Sequence, residues 1–548
     1  MKKSLFRIFY FTLCIIVTLD SAAQDKSIRY SDVWVEEISI PNFPALHSGA
    51  VAEHNGKWIM MGGRTNGMHG FYPPFAFPAN GRQTNVYVVD PEAGSIWSSP
   101  IDSLDVRVRE QLSSSNMQFA EGNGKMYLSG GYGYHEAIDD FTTFPYLTSA
   151  DMGCITDSVI AGGDMRPCFK VYEDSLMAVT GARMARIEDE YFLVFGHFFH
   201  HRYSVADLGS FIQKYTYQIR KFNIEETADS LSISNVQVIT DSSLFRRRDF
   251  NMTPFEDNNE RGLIVWSGVF RDSVDLPYYN PIKINQDLSY NLVESEQKHA
   301  HYTSAAACIQ TDGYFQEYFP FSNEAHLFFG GMAEFYLNEQ GDVVQDSLVP
   351  FVKGFSSMQR YESSYVETSL GIFGNVEQIC NESFNPNRYA FDGYEGTNAE
   401  FVANPAIRSD TSGVLKIGLS LFEPLLLGYI VGGIESTGPN IANMNDPSLS
   451  FASAKVYKVM FERKVCGSIE EYAQNPLKIF PNPSANLVNI NTKEPVVRYE
   501  ILDLTGKVIQ QETGTDIRLF TISELVPGTY FLKVFTGGNV FHTSLIKQ

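Results

Sequence analysis

The chain has 548 residues, of which 44% are apolar and 14% aromatic, so it is globular and long enough to bury a large core. It carries 42 basic and 64 acidic residues, which gives a formal net charge of −22 at pH 7. Because a negative protein repels phosphate backbones and anionic lipid surfaces, this charge argues against nucleic-acid binding.

Residues 1–23 have the pattern of a secretory signal peptide. Lys2, Lys3 and Arg7 form a positive start, Ile8 to Leu19 form an apolar run, and Ser21-Ala22-Ala23 offers small residues for cleavage. The run is shorter than the roughly 18 residues that a membrane-spanning helix needs, and no later apolar run reaches that length. We therefore predict an exported protein without a transmembrane segment.

A repeated pattern follows, in which an apolar strand ends in two glycines. The pattern is intact at Gly62-Gly63, Gly130-Gly131, Gly330-Gly331 and Gly432-Gly433. Two further copies are degenerate: in YFLVFGHFF we assign His197 to the place of the second glycine, and in GLIVWSGVF Ser267 replaces the first. Glycine adopts positive φ at little cost, so the pairs indicate sharp turns where neighbouring strands crowd together.

Each copy is predicted to contain four antiparallel strands. Asn55-Gly56 and Asn123-Gly124 are tight-turn signals upstream of the glycine pairs, and Asn85–Asp90 and Gln218–Asn223 read as third strands. A four-stranded unit cannot bury both of its faces alone, whereas radial stacking of several units buries them all.

The order of apolar run, Gly-Gly, tyrosine-containing strand and tryptophan resembles the kelch repeat, and Asn85 to Trp97 carries the match in the first copy. The resemblance implies an all-β fold, a kelch-like β-propeller over residues 31–463 with six blades. Five or seven blades stay open, because residues 366–406 could hold a degenerate copy. The segment Asp32–Ile38 is expected to pair with the last copy, near Lys455–Phe461, and so close the ring; a loose N-terminal arm is the alternative.

The last part of the chain has a different character. After a predicted linker, residues 464–475, the segment 476–548 alternates apolar and polar residues between turns, which predicts a small immunoglobulin-like β-sandwich. Its motifs FPNPSANLVNI, YEILDLTGKVI and ISELVPGTYFLKV resemble the type A sorting domain of the type IX secretion system. The resemblance implies that the type IX machinery is a partner, and that the protein is secreted or displayed on the outer cell surface after export to the periplasm.

Five cysteines remain after the predicted cleavage, and no CxxC pair is present to suggest a zinc site. Cys154 and Cys168 are the most plausible disulfide, closing a short loop. For Cys308, Cys380 and Cys466, pairing and burial as free thiols stay equally open.

Candidate binding residues lie in the long aromatic loops after the glycine pairs, such as GMHGFYPPFAFP and HFFHHRYSVADLGSF, and in the segments between copies, which share their face. Aromatic rings there could stack on sugars while arginines supply forked donors. The candidates are Arg64, His69, Tyr72, Tyr134, His135, His200, His201, Arg248, Arg271 and His301. The alternative is that polar residues gather there only because the loops do.

Three functions compete. Binding or adhesion to a glycan or an extracellular protein is favoured. The kelch resemblance also implies an enzyme as an alternative, since kelch-like propellers include copper oxidases and sugar isomerases; a structural surface module is the third. No nucleophile elbow, metalloprotease, P-loop or dinucleotide motif occurs, and Asp272 with Asp275 is weak evidence for calcium, so no cofactor is predicted.

Overall fold

The structure is a computed structural model that describes residues 28–204, 209–257, 260–299, 301–311, 323–338, 342–361, 364–369, 390–418, 423–466, 477–492, 494–503, 507–536 and 540–548. The predicted signal peptide and most of the predicted linker lie outside these residues. The described part is all-β, apart from two short α-helices and a few 3-10 turns. Within it, no helix has the length and apolar character needed to cross a membrane.

The first half of the chain contributes three of the main four-stranded antiparallel sheets, and its loops form a further four-stranded sheet described below. After β1 (Ile28–Ile38), the first sheet contains β2 (Ala50–His54), β3 (Lys57–Met61), β4 (Asn85–Asp90) and β5 (Ser95–Pro100). Then come α1 (Val106–Leu112), β6 (Gln118–Gly122), β7 (Lys125–Ser129), β8 (Tyr132–His135), β9 (Asp140–Thr143), β10 (Tyr146–Asp151), α2 (Met152–Ala161) and β11 (Phe169–Glu173). The second sheet is β6-β7-β10-β11. The third, β12-β13-β16-β17, comes from β12 (Arg183–Ile187), β13 (Glu190–Val194), β14 (His197–His200), β15 (Ile212–Tyr215), β16 (Gln218–Glu226) and β17 (Leu231–Thr240).

Three further sheets follow. The fourth is β18 (Asn251–Asp257), β19 (Glu260–Trp266), β20 (Ile282–Asn285) and β21 (Tyr290–Leu292). Next come β22 (Ala305–Thr311), β23 (Glu324–Phe329), β24 (Phe335–Leu337), β25 (Val343–Gln345), β26 (Phe355–Tyr361) and β27 (Ser364–Ser369). The fifth sheet is β22-β23-β26-β27. The last stretch contains β28 (Tyr394–Thr397), β29 (Glu400–Ala403), β30 (Leu415–Ile417), β31 (Leu425–Val431), β32 (Ile434–Ser436), β33 (Ser450–Ala452) and β34 (Val456–Cys466). Strand β30 pairs in parallel with β22 at the edge of the fifth sheet.

The sixth sheet joins the two ends of this region, in the order β29-β31-β34-β1. Strand β1 pairs antiparallel with β34 over its whole length, with Trp34 opposite Met460, so the predicted pairing of the N-terminal strand is confirmed. Strand β34 continues to Cys466 and therefore includes the first residues of the predicted linker. The region 366–406 supplies β28 and β29, while residues 370–389 within it lie outside the described residues.

Each sheet buries both faces against its neighbours. In the first sheet, Ile59 and Met61 pack toward Leu128 of the second sheet, while Trp58 on the opposite face packs toward Val431 of the sixth. Comparable apolar clusters join the second sheet to the third, the third to the fourth, the fourth to the fifth and the fifth to the sixth. Six shared cores therefore connect the sheets in a closed cycle.

A ring of hydrogen bonds also runs through the residues that lead into the six sheets. Six of its residues, one before each sheet, have positive φ: Ser48, Asn116, Gly181, Asp249, Thr303 and Asn398. Thr180, the neighbour of Gly181, makes the bond to Asn116. The bonds are Asn116 N to Ser48 O (2.9 Å), Thr180 Oγ1 to Asn116 O (3.1 Å), Asp249 N to Gly181 O (2.8 Å), Thr303 Oγ1 to Asp249 O (3.1 Å), Asn398 N to Thr303 O (2.5 Å) and Ser48 N to Asn398 O (3.3 Å). The last bond returns to the first sheet, so the ring is complete.

The glycine pairs turn the chain at the boundary between sheets. The second member of each pair has φ near +80 to +100°. In Gly63, Gly131, Gly196, Gly331 and Gly433 its N–H donates to the next sheet's entry segment, as from Gly63 to Ser114 O at 2.8 Å. In the third copy the pair is Phe195 (φ 52°) and Gly196 (φ 80°). The assignment of His197 as a replaced second glycine was therefore wrong: Phe195 replaces the first glycine. A Cβ on Gly196 would lie 2.6 Å from the Ala182 Cβ, and a Cβ on Gly130, a first-position glycine, would lie 1.9 Å from the Val179 O, so close packing at these turns is not confined to the second position.

The C-terminal region forms two separate sheets. The strands are β35 (Lys478–Phe480), β36 (Leu487–Asn491), β37 (Val496–Leu502), β38 (Val508–Thr513), β39 (Leu519–Thr521), β40 (Gly528–Thr536) and β41 (Val540–Lys547). Their orders are β35-β36-β39 and β38-β37-β40-β41. One core cluster, including Val488, Ile501 and Leu532, is shared by the two sheets.

Candidate functional site

The loops that follow the glycine pairs fold into a second layer of short sheets. Strands from the second and third copies combine in the order β15-β14-β9-β8, while β24-β25 and β28-β32-β33 come from the fifth and sixth copies. Met332, Phe351, Ile434 and Ile441 form a buried cluster of their own in the latter loops. The surface formed by these loops, which we call the loop face, is therefore ordered, and its side chains have fixed positions.

Arg64 and His69 belong to the loop of the first sheet. Arg64 is almost fully buried; its Nε donates to Asn66 Oδ1 at 2.9 Å and its Nη2 to Pro78 O at 2.7 Å. The His69 ring stacks on Phe77 with centroids 4.5 Å apart. Burial lowers the pKa of His69, and the charges of Arg64 and Arg248 lower it further.

Arg248 lies in the segment that leads into the fourth sheet, where it forms an isolated bridge with Val269. It forms an ion pair with Asp249, and its guanidinium lies 5.1 Å from the Phe270 ring centroid. Burial alone would lower the pKa of Arg248, but the charge of Asp249 raises it above its ordinary value. The charge of Arg248 favours lower pKa values at His69, His197 and Tyr302, so Arg248 lies within electrostatic range of all three.

Three candidates lie together at the sheet formed by β8, β9, β14 and β15. His200 Nδ1 lies 3.0 Å from Thr142 Oγ1, and His201 Nδ1 lies 2.8 Å from Asp140 Oδ2. The two histidine rings are 4.0 Å apart. Tyr134 donates its hydroxyl hydrogen to Asp139, which raises the pKa of Tyr134.

The remaining candidates are spread out. His135 is held by Glu110, with both carboxylate oxygens 2.9 Å from Nδ1. Arg271 lies over Tyr279 at 5.0 Å, and Tyr72 is exposed. His301 is buried and hydrogen-bonded to Gly330 O, and burial lowers its pKa to about 3. The structure thus brings Arg64, His69 and Arg248 together, and separately groups His200 with His201 and Tyr134.

Two arginines of this face were absent from the sequence candidates. Arg202 donates from Nε and Nη2 to Ala76 O at 3.0 and 2.9 Å, and Arg82 donates from Nε to Ala79 O at 3.3 Å. Arg202 follows His201 directly, so its place in an aromatic loop was the available signal. Its carbonyl partner lies in a different loop, which no local spacing reveals.

Two cavities lie elsewhere. A polar cavity of about 30 Å³ lies among the ring residues, between Ser48, Asn116, Asp249 and Asn398. A groove of about 440 Å³ lies between α1, β11 and the start of β17, lined by Arg107, Phe169 and Leu231 among others. Cys154 and Cys168 form a disulfide at α2, and Cys308 is a buried free thiol.

No group of three or more His, Cys, Asp or Glu side chains within the described residues is arranged to hold a metal ion. Asp272, a weak calcium candidate, forms an ion pair with Arg246 at 3.2 Å.

Comparison with known proteins identifies the C-terminal region. Residues 478–548 match the model of the secretion system C-terminal sorting domain, which confirms the predicted type IX sorting domain. The domain directs the protein to the cell surface or the extracellular space. No curated protein matches the chain. The solved structure of YjhT is similar over 62% of this chain and 91% of its own length, with 12% identity and a TM-score of 0.37, a level too low to support an argument.

Proposed function

We propose that this exported chain is a binding or adhesion protein whose residues 31–463 form a six-bladed kelch-like propeller, followed by an immunoglobulin-like sandwich that carries the sorting signal. The closed cycle of shared cores and the ring of hydrogen bonds from Ser48 back to Ser48 support the propeller. The pairing of β1 with β34 supports closure of the last blade.

The observation that carries the binding function is the ordered loop layer. It holds exposed aromatic side chains such as Tyr72 (43% exposed) beside arginines and histidines from several sheets. A rigid scaffold that presents fixed aromatic and forked cationic groups is suited to recognising a glycan or an extracellular protein.

The test is a glycan and extracellular-protein array probed with the secreted protein and with two loop-face variants, Tyr72→Ala and His200→Ala. These positions are preferred to Arg248, because removing Arg248 would leave Asp249 buried without its partner. We expect each variant to lose about tenfold in affinity, the cost of one good contact, with an unchanged melting temperature.

Ile160→Ala is the control, since Ile160 is similarly exposed on α2, outside the loop face. No ligand on either array, or equal loss in the control, would reject the proposal. Stoichiometric copper in the purified protein would favour the enzyme alternative instead.

A further inference from the structure

Three arginines on the loop face have no acidic partner. Within the described residues, none of Arg64, Arg82 and Arg202 takes part in a salt bridge. Most arginines elsewhere are paired, as Arg166 is with Asp164 at 2.8 Å and Arg183 with Glu400 at 2.8 Å, while Arg220, Arg247 and Arg271 also have no acidic partner among the described residues. In a chain with a net charge of −22, three uncompensated arginines at one place need an explanation.

The three guanidinium groups gather around one short segment, residues 76–79. Arg64 binds the carbonyl of Pro78, Arg82 that of Ala79 and Arg202 that of Ala76. They are close enough that, together with burial, the charges of Arg82 and Arg202 lower the pKa of Arg64 to about 10. All three are nevertheless charged at neutral pH and repel one another.

Each guanidinium also lies near an aromatic ring. The distances to the ring centroids are 5.4 Å from Arg64 to Phe77, 5.5 Å from Arg82 to Tyr134 and 5.4 Å from Arg202 to Phe141. These rings hold the cations in place without neutralising them. Hydrogen-bond donors are left over: within the described part of the chain, neither Nη of Arg82 has a hydrogen-bond partner, and Arg82 is half-exposed.

The nearby acidic groups are already engaged. Asp139 accepts the hydroxyl hydrogen of Tyr134, and Asp140 binds His201. Beside the arginines, the same loop exposes two aromatic side chains, Tyr72 (43%) and Phe75 (38%), whose backbones are joined by a hydrogen bond of 3.0 Å. The surface therefore combines free cationic donors with apolar planes.

We propose that this surface binds an acidic carbohydrate, with the carboxylate of a uronic acid residue held by Arg82 and Arg202 over the buried charge of Arg64, and with a sugar ring stacked on Tyr72 or Phe75. The inference rests on the proposed function and specifies its ligand class. Guanidinium groups present planar paired donors that match a carboxylate, and an anion here relieves the repulsion among the three charges.

The experiment measures binding of the full secreted protein to oligogalacturonate, oligoalginate and chondroitin oligosaccharides, with methyl-esterified oligogalacturonate as the uncharged counterpart. We expect at least one acidic probe to bind, the ester to bind about tenfold or more weakly, and added salt to weaken only the acidic probe. Arg82→Gln and Arg202→Gln should each reduce acidic binding by about tenfold. Arg166→Gln removes the same charge at a paired arginine distant in sequence and should change nothing.

The outcomes separate the two claims. If the acidic probes do not bind, or if the glutamine variants bind them like the unaltered protein, the acidic ligand is wrong. A third outcome is that the protein binds a neutral glycan, and that this binding is lost in Tyr72→Ala but kept in both glutamine variants. The loop face would then still be a binding site, but the proposed recognition of a carboxylate would be wrong. If the protein binds no ligand on either array, the proposed binding function is wrong as well.

Discussion

Replacing His301 by glutamine should make the protein less sensitive to mild acid. His301 is 3% exposed; its Nδ1–H donates to Gly330 O, and within the described residues its Nε2 is buried without a hydrogen-bond partner. Protonation would place a charge and a donor where no acceptor of the described chain lies. For this reason the folded pKa is about 3, against 6.5 for an ordinary histidine.

The size of the effect follows from linkage between protonation and folding. Because the folded pKa is depressed, the unfolded chain binds the proton first, and stability is lost as the pH falls below about 6.5 toward about 3. Between about pH 7.5 and about pH 5 the loss is about 2 kcal/mol for this one group. His47, whose pKa is also lowered to about 3 by burial and by Arg64, should contribute a similar amount.

The assay is urea unfolding of the unaltered protein, His301→Gln and the double variant with His47→Gln at several pH values in this range. Glutamine can still donate a hydrogen bond to Gly330 O. The substitution should therefore change the free energy of unfolding at neutral pH by less than it changes the pH dependence of that free energy. We expect the stability difference between the unaltered protein and His301→Gln to change by about 2 kcal/mol over the range, and by about twice that for the double variant. A difference that does not vary with pH would refute the reasoning.

Three further predictions concern sorting and folding. A chain ending at residue 476 lacks the sorting domain and should fold but accumulate in the periplasm; fractionation that finds it efficiently released would contradict this. Cys154→Ser should lower stability by about 3 kcal/mol in denaturant unfolding under oxidising conditions, because the disulfide closes a loop of 14 residues; an unchanged midpoint would mean that the loop is held by other contacts. Gly63→Ala should be less stable than Gly56→Ala by about 2 kcal/mol or more. Both glycines have positive φ, but of the two only the Gly63 Cβ would meet backbone, the His47 O at 2.3 Å. Equal unfolding midpoints would show that the backbone at this sheet boundary moves to make room for the methyl group.

Much of the strand pattern could be predicted because its signals are local. Asn55-Gly56 and Asn123-Gly124 do form left-handed two-residue turns, with φ of 50 and 79° and of 53 and 75°. The partner of the Trp34 strand was also predictable, since an unpaired strand at each end of a repeat array would expose two edges.

The glycine error shows where residue type misleads. Alignment by residue identity placed His197 at the second glycine of the pair, whereas the backbone geometry places Phe195 and Gly196 at the two turning positions. The first position is an ordinary left-handed conformation that Phe195 and Ser267 adopt at some cost. In other copies the first position is too close to backbone for a Cβ, as at Gly130, 1.9 Å from Val179 O, and at Gly330, 2.3 Å from Glu395 O, so the tolerance for a side chain differs from copy to copy.

The loop face was predictable as a location but not in its detail. His135 is held by Glu110 of α1, and His301 is buried. Both arrangements depend on contacts between segments that are distant in sequence. Arg202 and Arg82 become neighbours because each binds carbonyls of residues 76–79. A sequence gives the side chains of such a site, while the packing of several loops decides which of them converge.

Hydrogen–deuterium exchange with a bound acidic oligosaccharide tests the central claim, that the loop face is the binding site, most directly. The account predicts that protection on binding concentrates in residues 67–82, 132–143 and 197–204, with little change in the sorting domain. Protection concentrated instead at the groove between α1 and β11, or spread evenly over the six sheets, would contradict it.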